Sequence, residues 1–319
     1  MFNLCKNRNE KGAELRGVVA STFDAMMNEN DKIVVLESDL GGASKLTSLA
    51  KTHPDRFVQC GIAEADMVGI ACGLSSEGFV PFVHSFGPFL TRRAFDQIFL
   101  SGAYAKNTLN LYGTDPGFTV GANGGTHTTF EDMGLMRMIP NAVICDSADA
   151  VQLEWIIREF AKMEGIHYVR ANRKDVRNVY EAGSTFEIGK GNVLREGKDV
   201  LVITAGQIVS DALDCAEKLA GEGIDVEVID MFCIKPLDKE LVKKAVAGKK
   251  AVVTFENHSI YGGLGSSVAE LLAEEGIAVP FKRHGVDEQF GQVGSPDFLQ
   301  KEFKLTAEGL EEVIKSVLK

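Results

Sequence analysis

The stretch R-F-V-Q-C-G-I-A-E-A-D-M-V-G-I-A-C-G-L, residues 56–74, decides how the chain is read. Phe57 to Cys60 reads as the end of a strand. Ala65 to Leu74 places Met67, Val68, Ala71 and Leu74 on one face, the spacing of a buried helix. Glu64 stands where the two meet, among the small or apolar residues Cys60, Ile62, Ala63 and Ala65. An acid in a first helical turn gains about 0.3–1 kcal/mol from the helix dipole, so its position alone says little. The flanks say more, because they point to a partly desolvated carboxyl, suited to sharing a proton with a weak base.

Working outward, short apolar runs alternate with helical periods almost throughout, the pattern of a parallel α/β sheet. Strands are expected at Lys32 to Leu36, Leu109 to Tyr112, Ala142 to Cys145 and His167 to Arg170, with helices at Leu15 to Met27, Arg92 to Ala105 and Ala148 to Met163. After Arg173 the texture turns polar (N-V-Y-E-A-G-S-T), and a second α/β series follows. Its strands are expected at Val200 to Thr204, Val226 to Asp230 and Ala251 to Phe255. Its helices are expected at Ile208 to Ala220, Leu237 to Ala247 and Ser266 to Glu275. The fold expected is therefore α/β, two consecutive parallel-sheet domains over residues 1–183 and 184–319.

The length of 319 residues suits two such domains, and 45% apolar residues suffice for two cores. With 34 basic against 45 acidic residues the net charge is −11, which argues against a general nucleic-acid or anionic-membrane surface but not against a local anion pocket. No run is long enough to span a bilayer. The six cysteines are dispersed without C-x-x-C, so a reducing cytoplasm is the expected setting. The six histidines show no metal-ligand spacing.

Two further stretches carry chemistry. P-F-V-H-S-F-G-P-F-L-T-R-R-A-F-D-Q, residues 81–97, offers Phe86, Phe89 and Arg92. Residues 113–141, G-T-D-P-G-F-T-V-G-A-N-G-G-T-H-T-T-F-E-D-M-G-L-M-R-M-I-P-N, include a glycine-rich loop too long for a hairpin, holding Asp115, Asn123 and His127. Long ordered loops after α/β strands are commonly functional.

Taken together, Glu64 in G-I-A-E-A-D-M-V-G, F-x-x-F, R-R-A-F-D-Q, G-x-N-G-x-T-H, M-R-M-I-P-N and E-N-H-S-I-Y-G-G-L-G (residues 256–265) resemble the transketolase family in order and spacing. The resemblance implies a pyrimidine-binding domain followed by a transketolase C-terminal domain. It further implies that Glu64 hydrogen-bonds the aminopyrimidine of thiamine diphosphate and promotes its imino tautomer. Phe86 and Phe89 would cradle that ring, with Arg92 a further residue of the ring pocket. His127 would meet the donor's hydroxyls beside the bond that breaks, and Arg173 would grip the sugar phosphate. Arg16 in A-E-L-R would be a second anion-binding arginine. The reaction implied is transfer of a two-carbon ketol unit from a ketose to an aldose phosphate.

Three positions depart from the family pattern. Asn123 stands where many members have aspartate, Asp115 where they have histidine, and Ala43, beside Ser44, where a serine is usual. An anionic Asp115 is expected to repel a phosphate, and Asn123 can donate where aspartate only accepts. The chain also lacks the G-D-G…N segment that holds the diphosphate through Mg2+ in this family. The expectation is therefore one subunit of a split transketolase, its partner an N-terminal subunit carrying the diphosphate and metal site, assembled as two of each chain. The rivals are the beta subunit of a 2-oxo acid dehydrogenase, the C-terminal half of a deoxyxylulose-phosphate synthase, and a non-catalytic scaffold homologue.

Overall fold

The computed structural model describes residues 1–319. Its twelve strands are β1 (Ile33–Glu37), β2 (Phe57–Gln59), β3 (Val80–Phe86), β4 (Leu109–Thr114), β5 (Val143–Asp146), β6 (Ile166–Ala171), β7 (Asn192–Arg195), β8 (Val200–Thr204), β9 (Val226–Asp230), β10 (Cys233–Lys235), β11 (Ala251–Ser259) and β12 (Phe281–Val286). They form a seven-stranded sheet in the order β10-β5-β6-β4-β3-β1-β2 and a five-stranded sheet in the order β12-β11-β8-β9-β7. Only β10 against β5 and β7 against β9 are antiparallel. The α/β class with two mostly parallel sheets is as the sequence implied.

Both faces of the first sheet are covered, as parallel sheets require. On one face the helices Leu15–Glu29 and Ala150–Phe160 pack Val19, Phe23, Ile156 and Phe160 against Val35, Phe82 and Val169. On the other, the helix Glu64–Ser76 packs Met67, Val68 and Ala71 against Leu36 and Val83. That helix is buried on the side that carries Met67, Val68, Ala71 and Leu74, the face read from residues 65–74. Gly69, Ile70 and Gly73 face outward.

The helix expected from Arg92 to Ala105 is not continuous. A five-residue helix, Gly87–Thr91, ends before a turn, and helical structure resumes as Phe95–Gln97 and a π-helical segment, Ile98–Tyr104. From that turn Arg92 and Arg93 reach to two different acids, Glu131 and Glu64. The sequence reading also lacked β7, β10 and β12 and the helices Pro296–Glu302 and Ala307–Val317. Strands of three or four residues such as β10 and β7 carry almost no periodicity, and β12 (F-K-R-H-G-V) is an edge strand with few apolar residues.

The sheets are joined by more than the chain. β10 leaves the second series to extend the first sheet, Cys233 opposite Cys145. Between the sheets lies Arg170, wholly buried at the end of β6. Its Nη1 donates to Asp132 Oδ1 at 2.7 Å and its Nη2 to the Asn257 carbonyl at 2.6 Å. Nε stands 3.1 Å from Asp146 Oδ2, an ion pair rather than an aligned hydrogen bond. Arg170→Met would leave Asp132 and Asp146 buried without a countercharge. It is expected to cost about 3–5 kcal/mol, read from the denaturant midpoint. Arg158→Met, at a surface pair with Glu29, should cost under about 1 kcal/mol.

Candidate active site

Parallel strands end on one edge, and that edge gathers the chemistry: Phe86 closes β3, Asp115 follows β4, Asp146 closes β5, and Arg173 lies just past β6. Ligands of open α/β sheets collect at these carboxyl ends. Glu64, the first residue of its helix, is only 1% exposed. Its Oε2 accepts from Arg93 Nη1 at 2.6 Å, while Ser85 Oγ lies 3.4 Å from Oε1 and is itself 3.1 Å from Ser38 Oγ. The Arg93 guanidinium lies over the Phe89 ring, its Cζ 4.2 Å from the centroid.

Phe86, Phe89 and His127 form a cluster. The Phe86 and Phe89 rings are 6.0 Å apart, and His127 meets both edge-on, at 5.9 Å and 5.0 Å. Gly87, between the two phenylalanines, lets Thr129 of the same loop approach, since a Cβ there would strike Thr129 Cγ2 at 2.7 Å. His127 Nδ1 lies 2.9 Å from Thr126 Oγ1. Asn123 is exposed on the same loop, short of the cluster.

The loop that carries His127 is held by the second domain, and E-N-H-S (residues 256–259) is the clamp. Glu256 accepts the N–H groups of Leu264 and Gly265, both at 2.8 Å, anchoring the strand to the helix Leu264–Glu274. Burial pushes its carboxyl up to about 7. Asn257 donates to the Pro116 carbonyl at 3.0 Å and accepts from Phe118 N–H at 3.2 Å. Gly117, at φ +58°, leaves no room for a Cβ, which would lie 2.0 Å from Asn257 Oδ1. Ser259 N–H donates to the Phe130 carbonyl at 2.7 Å.

Arg173 arches back over the Phe86 ring, Cζ 4.7 Å from its centroid. Asp115 holds it by both oxygens, accepting from Arg173 N–H at 3.0 Å and from Nε at 2.5 Å. Burial raises the Asp115 carboxyl above its ordinary range, and the guanidinium opposes that shift. Asp115 is thus engaged by the arginine behind the cleft, which corrects the expectation of a free anion facing a phosphate. Beneath them His84 is buried and depressed to about 3, first by desolvation and then by Arg173.

Arg16 joins from the start of its helix. Its N–H donates to the Arg173 carbonyl at 3.2 Å, so the two arginines share one backbone seam. Its side chain donates from Nε and Nη2 to Glu14, both at 3.1 Å, and from Nη1 to the Ala43 carbonyl at 3.0 Å. Lys45 reaches the same Glu14 at 2.7 Å. Hydrogen bonds from Arg16 and Lys45 hold the Glu14 carboxyl down at about 2. Ser44 bonds back to the Leu40 and Gly41 carbonyls instead of facing the cleft.

The structure thus brings Glu64, Phe86, Phe89, His127, Arg173, Asp115 and Arg16 to one edge. It turns Arg92 elsewhere. Arg92 Nε lies 3.0 Å from Glu131 Oε1, on the wall of a cleft of about 380 Å³ between loop residues 125–131 and segments 259–261 and 288–291. Sequence reasoning missed Arg93, Glu14 and Lys45. The R-R doublet was the signal for Arg93, hidden by the assumption of one helix through it.

These residues fit the aminopyrimidine of thiamine diphosphate. A planar group bearing N–H donors already stacks on Phe89 and bonds the Glu64 carboxylate, and that group is the Arg93 guanidinium. Within the clamp, Asn257→Ala would strand the Pro116 carbonyl and the Phe118 N–H. A cost of about 1–3 kcal/mol is expected, with faster amide hydrogen exchange across residues 117–131 than in β8.

The comparisons come to the same place. Residues 11–179 match the transketolase pyrimidine-binding domain and residues 189–310 the transketolase C-terminal domain. The chain is 42% identical over 88% of its length, and 86% of the other's, to the 6-deoxy-6-sulfo-D-fructose transketolase subunit SqwH of Clostridium sp. (strain MSTE9). It is 39% identical, over 96% of each, to a putative transketolase C-terminal section of Methanocaldococcus jannaschii. Among solved structures it resembles a split gene transketolase described as an inactive beta4 tetramer. The TM-score is 0.87 at 38% identity, covering 96% of this chain and 98% of that one.

Proposed function

Because the chain belongs to the transketolase family, we propose that it is the pyrimidine-binding and C-terminal subunit of a two-chain transketolase, completed by a partner that holds the diphosphate and Mg2+. The enzyme transfers a two-carbon ketol unit from a ketose with an anionic far end to an aldose phosphate, and it assembles as two of each chain. The observation that carries this reading is the buried Glu64 carboxylate facing a planar, N–H-bearing group stacked on Phe89.

The carbanion chemistry of the transfer would be supplied by bound thiamine diphosphate. This chain's residues serve it. Glu64 holds a proton at a ring nitrogen, with Ser85 beside its other oxygen. Phe86 and Phe89, whose rings lie 6.0 Å apart, would orient the ring. His127, on the aromatic cluster, meets the donor's hydroxyls. Arg173 and Arg16 receive its far end.

A partner is supported by the outer side of the Glu64 helix. Ile62, Leu100 and Tyr104 are 75%, 49% and 81% exposed, around Ile70 and the open Gly69 and Gly73. An apolar face of this kind marks an interaction site. The relatives' own descriptions as a subunit and a C-terminal section support it too.

Two measurements test the reading. The chain alone, with thiamine diphosphate and Mg2+, is expected to show no ketol transfer, and adding the N-terminal subunit should restore it. Glu64→Ala in the assembled pair should then lose about 10²–10⁴ in turnover. Unchanged turnover would identify a scaffold instead. Arg93→Ala, which vacates the place beside Glu64, should tighten thiamine diphosphate binding by the pair roughly tenfold in calorimetry, since the fraction of competent chains sets the apparent affinity. Weaker binding would show that Arg93 helps to hold the ring.

A further inference from the structure

Resting on that reading, we propose that Ser38 and Ser85 form a chain of two hydroxyls that holds Glu64 by Oε1, so that Oε2 is the oxygen presented to the pyrimidine ring. Both serines sit where apolar rows run out. β1 and β3 pair in parallel with Glu37 opposite His84, so Ser38, just past β1, comes opposite Ser85. Side chains alternate between faces along a strand. Leu36 and Val83, two residues earlier, pack with Met67, Val68 and Ala71 of the Glu64 helix. Ser38 and Ser85 continue those two rows toward the helix's first residue. Their exposures are 2% and 0%, so neither hydroxyl is served by bulk water.

Buried hydroxyls need partners, and counting protons fixes the direction of the chain. Ser38 Oγ lies 3.1 Å from Ser85 Oγ, its one hydrogen-bond partner, and Ser85 Oγ lies 3.4 Å from Glu64 Oε1. If Ser38 donates to Ser85, then Ser85 donates to Oε1 and both protons are placed. The reverse order leaves the Ser38 proton and Oε1 buried without partners. Each hydroxyl carries a single proton, so no other order satisfies all three groups. The carboxylate at the end strengthens the chain, because each hydroxyl is polarised toward the charge.

The 3.4 Å step is long, yet Oε1 has no other donor, whereas Oε2 accepts from Arg93 Nη1 at 2.6 Å. The two oxygens therefore differ in place. Oε1 faces inward, to the ends of β1 and β3. Oε2 lies on the open side, where the half-exposed Arg93 reaches it. Ser85 keeps the carboxyl group from turning over and exchanging them. It is a positioning residue that acts through Glu64, and Ser38 acts through Ser85.

The test is a double-mutant cycle in the chain assembled with its N-terminal subunit. Ser85→Ala is expected to weaken thiamine diphosphate binding in calorimetry about tenfold, the loss of one hydrogen bond to a charged group. It should lower kcat by a similar factor and leave the donor's KM unchanged. Ser85→Cys, a weaker donor of similar shape, should fall between. Ser38→Ala should cost about threefold alone and nothing once Ser85 is Ala, since its route to Glu64 is then gone. A merely structural serine at 38 would cost the same in both backgrounds, and that result overturns the inference. So does unchanged binding in Ser85→Ala. If the wild-type pair neither binds thiamine diphosphate nor transfers a ketol unit, the reading of the enzyme fails and the single chain decides the inference. There the infrared carboxylate band that vanishes in Glu64→Gln should shift in Ser85→Ala, and in Ser38→Ala only while Ser85 is present. An unmoved band overturns it.

Discussion

One buried guanidinium sets the frame for everything at the edge of the first sheet. Arg170 has no water to solvate it, and its donors are distributed over Asp132, Asp146 and the Asn257 carbonyl. Asp132 also accepts from Tyr168 Oη at 2.7 Å, so both its oxygens are committed. A buried charge of this kind adds little net stability over a well-packed apolar core, because desolvation cancels much of the attraction. What it does supply here is a fixed relation between two sheets. Its Nη2 bond to the Asn257 carbonyl is the one that crosses to the second domain, and a shift of that domain would leave this donor buried without an acceptor.

That relation determines where the functional loop runs. Residues 115–132 are tied at their first position by Asp115 to Arg173, and at their last by Asp132 to Arg170. Between these ends the loop is clamped by Asn257 and Ser259 from β11. His127 therefore meets Phe86 and Phe89 because the second domain puts it there, although it touches only first-domain residues. The second sheet has no part in the aromatic cluster, yet it positions one of its three rings.

Much of this was legible in the chain, and the exceptions have physical causes. Regular strands with apolar runs were placed to within a few residues; Val200–Thr204 and Val226–Asp230 fall where the alternation put them. The grouping of Glu64, Phe86, Phe89 and His127 was what the resemblance to the transketolase family implied, since their motifs follow that family's order and spacing. The pairing of Arg173 with Asp115 could not, since 58 residues separate them and sequence carries no sign of which acid an arginine will find. For the same reason Asp115 read as a repulsive charge, whereas the fold makes it the holder of a cation. Arg93 was missed because its role depends on a break in the helix, and R-R-A-F-D-Q contains neither glycine nor proline to announce one.

The Glu64 helix joins a buried acid to an uncovered apolar face. Its inner residues Met67, Val68 and Ala71 are locked in the core of the first sheet, so the helix cannot rotate without emptying that core. Its first residue is the buried acid. Its outer side, with Ile62 and Ile70 beside open glycines, is apolar and uncovered within one chain. Whatever covers that side packs within two turns of the carboxylate. Folding alone already takes that carboxylate out of water, at 1% exposed. Arg93 contributes to this, its guanidinium covering Phe89 and pairing with the acid it faces.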